Sequence, residues 1–388
     1  MAGFFSDYSI AIILVLLLLL ILNRSNINAK NYIVIATSIL TILAFFVNPV
    51  NGYINHGCYI DLYRYYRDMD VFAQYGWNAS ELQLRTAYST MPIVKILVFL
   101  VAQTGIYGLL PAFVCIVSHL SVGGTLLLVS KDYNLSSRYT KYAFCLFILM
   151  NNYGNLISNA RMPMGMCLFF SILYLESTKR LKFRYCFVGY VLLCLIHNIF
   201  IVFVGFRLIV FFFNKYSKVA VVAISVAGGL SLKIGSIVLP SVANAYMYLI
   251  QDKIEFYQRE SVSGHVDYLY TLLAFLRLVV LIYSLFIADK ELENDGIVSL
   301  IYKYSFVLLF FMIGSFWNFH LFTRIGNFCL YFDVFFILLI EGNRFNLKGS
   351  RYKLSVMHLT KYRAIYLLVV LYSVLYLCLS HNYRMYWF

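Results

Sequence analysis

Apolar residues run through this chain in blocks of about 14 to 23 positions, separated by short polar stretches, and most blocks carry Phe, Leu, Val and Ile on every side. A pattern that is hydrophobic all round, without period-two alternation, predicts helices that bury their backbone groups internally rather than strands of an outer-membrane barrel. Apolar runs such as Ile10 to Leu22 and Tyr366 to Leu379 are of the kind that crosses a bilayer. Reading the blocks in order gives spans near 8–22, 31–48, 91–107, 109–130, 139–157, 162–176, 184–197, 199–213, 219–241, 267–288, 303–318, 325–341 and 364–381. The expected fold is all-α: a polytopic transmembrane helical bundle of about 12–14 membrane segments, forming a single integral membrane domain over residues 1–388 with external loops at about 49–90 and 242–266.

Composition sharpens this picture. The chain is 62% hydrophobic, 18% aromatic and 12% charged, with a mean hydropathy of +0.78, which excludes an ordinary soluble domain. The first apolar stretch follows an N-terminus without Lys or Arg and lacks a small-residue cleavage site, so it reads as a retained span. The eight cysteines lie mostly inside apolar segments and form no CxxC pair, so neither a metal site nor a disulfide framework is expected. A net charge of +14 invites a nucleic-acid partner, but in such a chain it follows from Lys and Arg gathered in cytoplasmic loops, and no nucleic acid is expected.

That charge bias sets an orientation. The stretch with Lys179, Arg180, Lys182 and Arg184, and the stretch with Arg344, Lys348, Arg351, Lys353, Lys361 and Arg363, are basic and free of acids, which places both in the cytoplasm. Arg24 with Lys30 and Lys215 with Lys218 join them. Residues 49–90 instead mix Asp61, Asp68, Asp70 and Glu81 with Arg64, Arg67 and Arg85, and residues 242–266 are similarly mixed, so both face outward. Three apolar blocks separate Lys30 from Lys131, so either one segment near residues 91–107 is re-entrant or the Lys131 loop lies outside; re-entry is favoured because moving that loop would also move the basic Lys179 stretch outside. With that choice Arg161, His197 and Arg324 fall at the external ends of their helices, although none of them entered the charge argument.

Ionisable groups at the ends of apolar helices are costly and usually face a cavity, a partner or a substrate. Arg161 opens a helix with Pro163 in its first turn, where a missing N–H costs little. A guanidinium beside a helix N-terminus suits phosphate or diphosphate. Arg324, before another apolar helix, is a second candidate, and two arginines can share a diphosphate in forked geometry. For both, the alternative is an interfacial arginine whose stem reaches back to water. His197, among apolar neighbours, is a candidate general base or hydroxyl ligand, with a structural histidine bonded to a carbonyl as the alternative. The outer stretch from Asp61 to Asp70 holds Asp61, Arg64 and Tyr65 in an aromatic and ionic cluster, suited to carbohydrate or equally to an interfacial belt with local ion pairs. No HExxH, P-loop, GxSxG or DxD-type pair occurs at a loop position, so no metal or cofactor is expected.

At these residues the chain resembles the EpsG-like family of bacterial exopolysaccharide and O-antigen polymerases, the Wzy type. The resemblance rests on the external Asp61, Arg64 and Tyr65, on Pro92 before an apolar helix, on Arg161 opening a helix after an Asn-rich segment, on the basic turn that follows, on His197 ending the next helix, and on Arg324 with Tyr331. These cover roughly residues 55–335 in the family's order. Met162 to Met166 depart from the family's usual Gln and Leu-Ala after the arginine, and Asn198 and Ile199 stand where a serine is usual.

The resemblance implies a polymerase in the bacterial cytoplasmic (inner) membrane with its active site facing the periplasm or exterior. It would join undecaprenyl-diphosphate-linked oligosaccharide repeat units among membrane lipids, by metal-independent glycosyl transfer and with a chain-length regulator protein as partner. His197 or Asp61 would serve as base, and Arg161, Arg324, Arg64 and Tyr65 would bind substrate. A flippase or transporter for the same lipid-linked sugar, an O-antigen ligase and a membrane O-acyltransferase are the competing readings. The flippase should show repeated halves, and the acyltransferase a cytoplasmic active site.

Overall fold

A computed structural model of the chain describes residues 7–50, 61–80, 83–84, 86, 88–151, 153–213, 218–238, 268–292, 297–343, 356–379 and 386–387. Among these residues the fold is all-α, apart from a two-residue antiparallel ribbon pairing Val47 with Trp387 and Asn48 with Tyr386. Its helices sort into two compact units, the first comprising Met1–Val202, Val334–Lys353 and Val370–Phe388, the second Phe203–Asp333 and Leu354–Val369. Each is described by itself.

The first unit holds α1 (Asp7–Arg24), α2 (Ala29–Phe45), α3 (Asp61–Tyr75), α4 (Pro92–Thr104), α5 (Leu109–Asp132), α6 (Ser137–Met150), α7 (Tyr153–Ser158), α8 (Arg161–Ser177) and α9 (Phe183–Ile196). Polar residues set the boundaries. The Asn28 side chain caps α2 by accepting from the Asn31 N–H at 2.8 Å. Pro92 is the first residue of α4, and that helix stops at Gly105, whose φ of +69° belongs to the left-handed region glycine tolerates. The block expected as one span over 139–157 is two helices, because the chain turns extended at Asn151 between α6 and α7.

Helix directions follow from a few contacts. Gly108, at the head of α5, presses against the Phe45 carbonyl at the end of α2, where a Cβ would sit 2.1 Å from the oxygen. Further along, Gly123 receives the Ile33 side chain, so α2 and α5 run antiparallel. The Ser171 hydroxyl donates to the Ser121 carbonyl at 3.0 Å, and the Tyr174 hydroxyl to Asp132, so α8 runs parallel to α5. A hairpin through the basic turn returns α9 along α8, with Gly189 against Ile172. The end of α2 and the starts of α5 and α8 therefore share one end of the unit. Both ends of α4 lie there too, Met91 against Arg161 and the 105–108 turn against Phe45, so this helix of 13 residues, about 20 Å long, does not run the unit's length.

The opposite end is tied by Asp132, which accepts from Tyr174 and pairs with Arg180, and by Glu176, which accepts from the Tyr190 hydroxyl at 2.7 Å. In the interior, His119 sits 1% exposed with Nδ1 2.8 Å from the Cys115 carbonyl and its ring against Phe144 and Phe147. It is a satisfied core histidine.

The second unit contains α10 from Phe203 onward (helix Ile199–Phe213), α11 (Lys218–Val238), α12 (Tyr268–Leu292), α13 (Ser299–Gly314), α14 (Phe319–Asn343) up to Asp333, and part of α15 (Val356–Leu379). Its tightest crossing joins α11 to α13, where Gly229 meets the Gly314 backbone and Gly314 meets Val226. The Trp317 indole N–H donates to the Gly229 carbonyl at 3.0 Å beside it. Phe203 stacked on Phe328 and Tyr304 stacked on Phe332, with Tyr304 edge-on to Phe328, fill the interior. Two helical stretches among the described residues, Leu109–Asp132 and Leu321–Gly342, are long and apolar enough to cross a membrane.

Candidate functional site

The outer stretch singled out in the sequence forms a helix. Along α3 the buried positions Leu62, Tyr65, Tyr66, Met69 and Phe72 recur every three or four residues, an amphipathic spacing whose tyrosines take places an aliphatic pattern would give to leucine. The helix folds back against α4 through Phe72 on Phe99 and Trp77 on Phe99, with the Lys95 ammonium 4.4 Å from the Trp77 ring centre. Tyr65 turns toward the start of α8, where Arg161 lies over its ring, and Asp68 turns toward Tyr88. A neighbouring face carries Tyr66 and Asp70 toward Tyr107, whose hydroxyl donates to Asp70 at 3.0 Å.

Arg161 is the first residue of α8, half-buried, with its guanidinium carbon 5.7 Å from the centre of the Tyr65 ring and Nη1 3.0 Å from the Met91 sulfur. Among the described residues no carboxylate lies within ion-pair distance of it. A π face and a thioether are soft partners that orient a guanidinium without neutralising it. Tyr65 is 1% exposed, and its hydroxyl has no hydrogen-bond partner among the described residues. Burial pushes its phenol well above the usual range, partly opposed by Arg161, so the group is a standing O–H donor.

Around this pair, Asp61 lies 3.6 Å from Arg64, both part-exposed. Asp68 is fully buried and accepts from the Tyr88 hydroxyl at 2.9 Å. Burial and the Asp68 carboxylate together raise the Tyr88 phenol, which keeps it protonated and donating. The structure thus brings Asp61, Arg64, Tyr65 and Arg161 to one end of the first unit. Asp68, Tyr88 and Met91 belong to the same cluster and were not selected from the sequence. Their roles depend on long-range contacts, and the only local signal was a carboxylate on the apolar side of an amphipathic stretch. Glu81 and Arg85, noted in the sequence beside this cluster, lie outside the described residues, as do Cys58 and the loop at 242–266.

His197 closes α9 in an extended conformation, its N–H donating to Leu193 and its Nδ1 accepting from the Ile199 N–H at 3.1 Å. With Nδ1 accepting, a neutral ring carries its proton on Nε2, which suits donation better than proton abstraction. A Cβ on Gly165 would meet the Phe200 ring at 2.4 Å, which sets the 197–200 junction level with the first turns of α8. His197 and Arg161 therefore stand at the same end of the hairpin. Arg324 is half-buried on α14 in the second unit. In that unit Arg277, 2% exposed on α12, bonds to the Asn327 side chain one turn beyond Arg324. This buried arginine, a lone charge within an apolar run, was also not selected from the sequence.

The α3–α8 cluster sets a guanidinium, with no carboxylate at ion-pair distance among the described residues, at a helix N-terminus beside a buried O–H donor, the chemistry by which anions are held. No family model, curated protein or solved structure matches this chain.

Proposed function

We propose that the chain is a polytopic protein of the bacterial cytoplasmic membrane that polymerises lipid-linked oligosaccharide repeat units at the outer leaflet. The observation that carries this reading is Arg161, a cation held in place by Tyr65 and Met91 with no carboxylate to neutralise it among the described residues. The membrane setting is supported by the two spanning-length helices and by large apolar side chains left exposed on the shorter ones, among them Phe211 at 72%, Val219 at 78% and Phe286 at 74%. With the basic turn of Lys179 to Arg184 in the cytoplasm, Arg161 faces outward, and α4, with both ends toward that side, is the re-entrant segment.

In the reaction, a hydroxyl oxygen of the incoming repeat unit forms a bond to the anomeric carbon of the growing glycan. The bond from that carbon to the lipid diphosphate breaks, and the diphosphate leaves with the electron pair. Arg161 and the Tyr65 hydroxyl stabilise the charge that develops there, which is usually a large catalytic contribution. Asp61 takes the acceptor's proton, Arg64 holds Asp61, and the His197 Nε2–H donates a hydrogen bond to the leaving diphosphate while keeping its proton. Arg324, in the second unit, is tested separately as an anion ligand.

The test is deletion of the gene in its native strain, complemented at matched protein levels with wild type, Arg161→Ala, His197→Ala and Arg324→Ala, with the surface glycan resolved by size. Collapse of the long ladder to single-repeat glycan, unrescued by Arg161→Ala, is the expected outcome. Loss of all repeats, including single ones, would point to a flippase or ligase and overturn the proposal.

A further inference from the structure

Arg161 is positioned by a closed ring of contacts that begins and ends on α3. Its guanidinium lies over Tyr65 and against the Met91 sulfur. The Met91 N–H donates to the Tyr88 carbonyl at 2.9 Å, closing the turn that leads into α4. The Tyr88 hydroxyl donates to Asp68 at 2.9 Å, and Asp68 stands three residues after Tyr65 on the same helix. Asp68 and Tyr88 are 0% and 2% exposed, and their hydrogen bond lies beside the Arg161 contacts rather than within them.

We infer that Asp68 and Tyr88 are positioning residues for Arg161: their hydrogen bond fixes the 88–91 turn, and the turn sets where the Met91 sulfur holds the guanidinium. The inference deepens the reading of Arg161 as a diphosphate receptor and rests on it for its functional meaning. A fully buried carboxylate is an expensive way to hold a tyrosine, because an acid in that place must be desolvated. The expense is intelligible where the tyrosine must stay in one place.

The experiment uses the full-length protein in lipid nanodiscs with 15N-labelled arginine, the Arg161 side-chain signal being assigned by its loss in Arg161→Lys. Without ligand, Tyr88→Phe and Asp68→Ala are expected to move that signal away from its Tyr65-shifted position. Asp68→Asn, which still offers an oxygen to the Tyr88 hydroxyl, is expected to leave it in place, so a general loss of folding is separated from loss of the ring. An Arg161 signal unchanged in Tyr88→Phe and Asp68→Ala, or displaced equally by Asp68→Asn, overturns the inference. Titration with inorganic diphosphate follows the same signal. Tyr88→Phe is expected to weaken binding about three- to tenfold, the range set by one hydrogen bond, and to have no effect in an Arg161→Ala background. A wild-type signal that ignores diphosphate sinks the receptor reading, while the ligand-free spectra still decide the ring.

Discussion

The crossing of α11 and α13 makes a prediction that runs against helix propensity. Replacing Gly314 by Ala should stabilise an isolated helix by up to about 1 kcal/mol. In the folded unit, however, the new Cβ would sit 2.4 Å from the Val226 carbonyl oxygen and 3.0 Å from the Val226 Cα. Both are backbone atoms, so no side chain can swing aside, and the helices must part by about 1 Å to restore ordinary contact distances. Overpacking of this kind costs about 1–3 kcal/mol, and parting the helices also strains the Trp317 bond to the Gly229 carbonyl, worth about 1 kcal/mol. The expected net effect of Gly314→Ala is therefore a loss of about 1–3 kcal/mol. Gly228 is the internal control: a Cβ there meets only the Phe311 ring at 3.4 Å, and Gly228→Ala should be neutral or stabilising by up to about 1 kcal/mol. The assay is the fraction of detergent-solubilised protein that remains monodisperse after heating, across a temperature series. If Gly314→Ala survives as well as wild type while Gly228→Ala does not, the close approach of these two backbones is refuted.

At the tied end of the first unit, Asp132→Ala removes the acceptor for Tyr174 and the partner of Arg180 together; a loss of about 1–3 kcal/mol is expected, read in the same heating assay, whereas Asp132→Asn should retain the Tyr174 bond and cost less. Gly105→Ala places a side chain at a φ of +69° with open space around it, so about 1 kcal/mol of purely backbone strain is expected, and Gly105→Asn should recover most of it. The Tyr107 phenol is pushed up to about 12 by burial and by its bond to Asp70. Because its folded value exceeds the ordinary value of 10, the stability it contributes is complete below pH 10. That contribution should fade as pH rises through about 10 to 12, a fade that should be absent in Tyr107→Phe; identical alkaline unfolding of the two proteins would count against the bond.

Much of the helical content was legible because an all-apolar run leaves the backbone few alternatives to a helix. The exceptions are instructive. The run at 139–157 read as one element because its apolar pattern is continuous on either side of Asn151, and two adjacent asparagines compete with helix only where tertiary packing lets them. α3 escaped notice because Tyr65 and Tyr66 are amphipathic and Asp68 breaks the apolar face, although the spacing of Leu62, Tyr65, Met69 and Phe72 is helical. Arg161 could be selected, since a cation opening an apolar helix with Pro163 behind it is conspicuous. What surrounds it could not: Tyr88 and Met91 precede it by about 70 residues, and nothing in local periodicity announces that a thioether will stand where a carboxylate would be expected. Arg277 was overlooked for the converse reason, since its partner Asn327 is an unremarkable polar residue 50 positions away.

The ties at Asp132 and Glu176 bear on a problem at the other end of α8. The helix is a rod of 17 residues, about 25 Å from end to end, with Tyr174 anchored near its tail and Arg161 at its head. A helix held at its tail has its rotational register fixed along its whole length. Inserting one residue anywhere between Arg161 and Tyr174 would swing the arginine by about 100° and lift it by about 1.5 Å, taking it off Tyr65 without touching a single residue of the receptor. The length of α8 between its two ends is thus as much a determinant of the site as the side chains that line it.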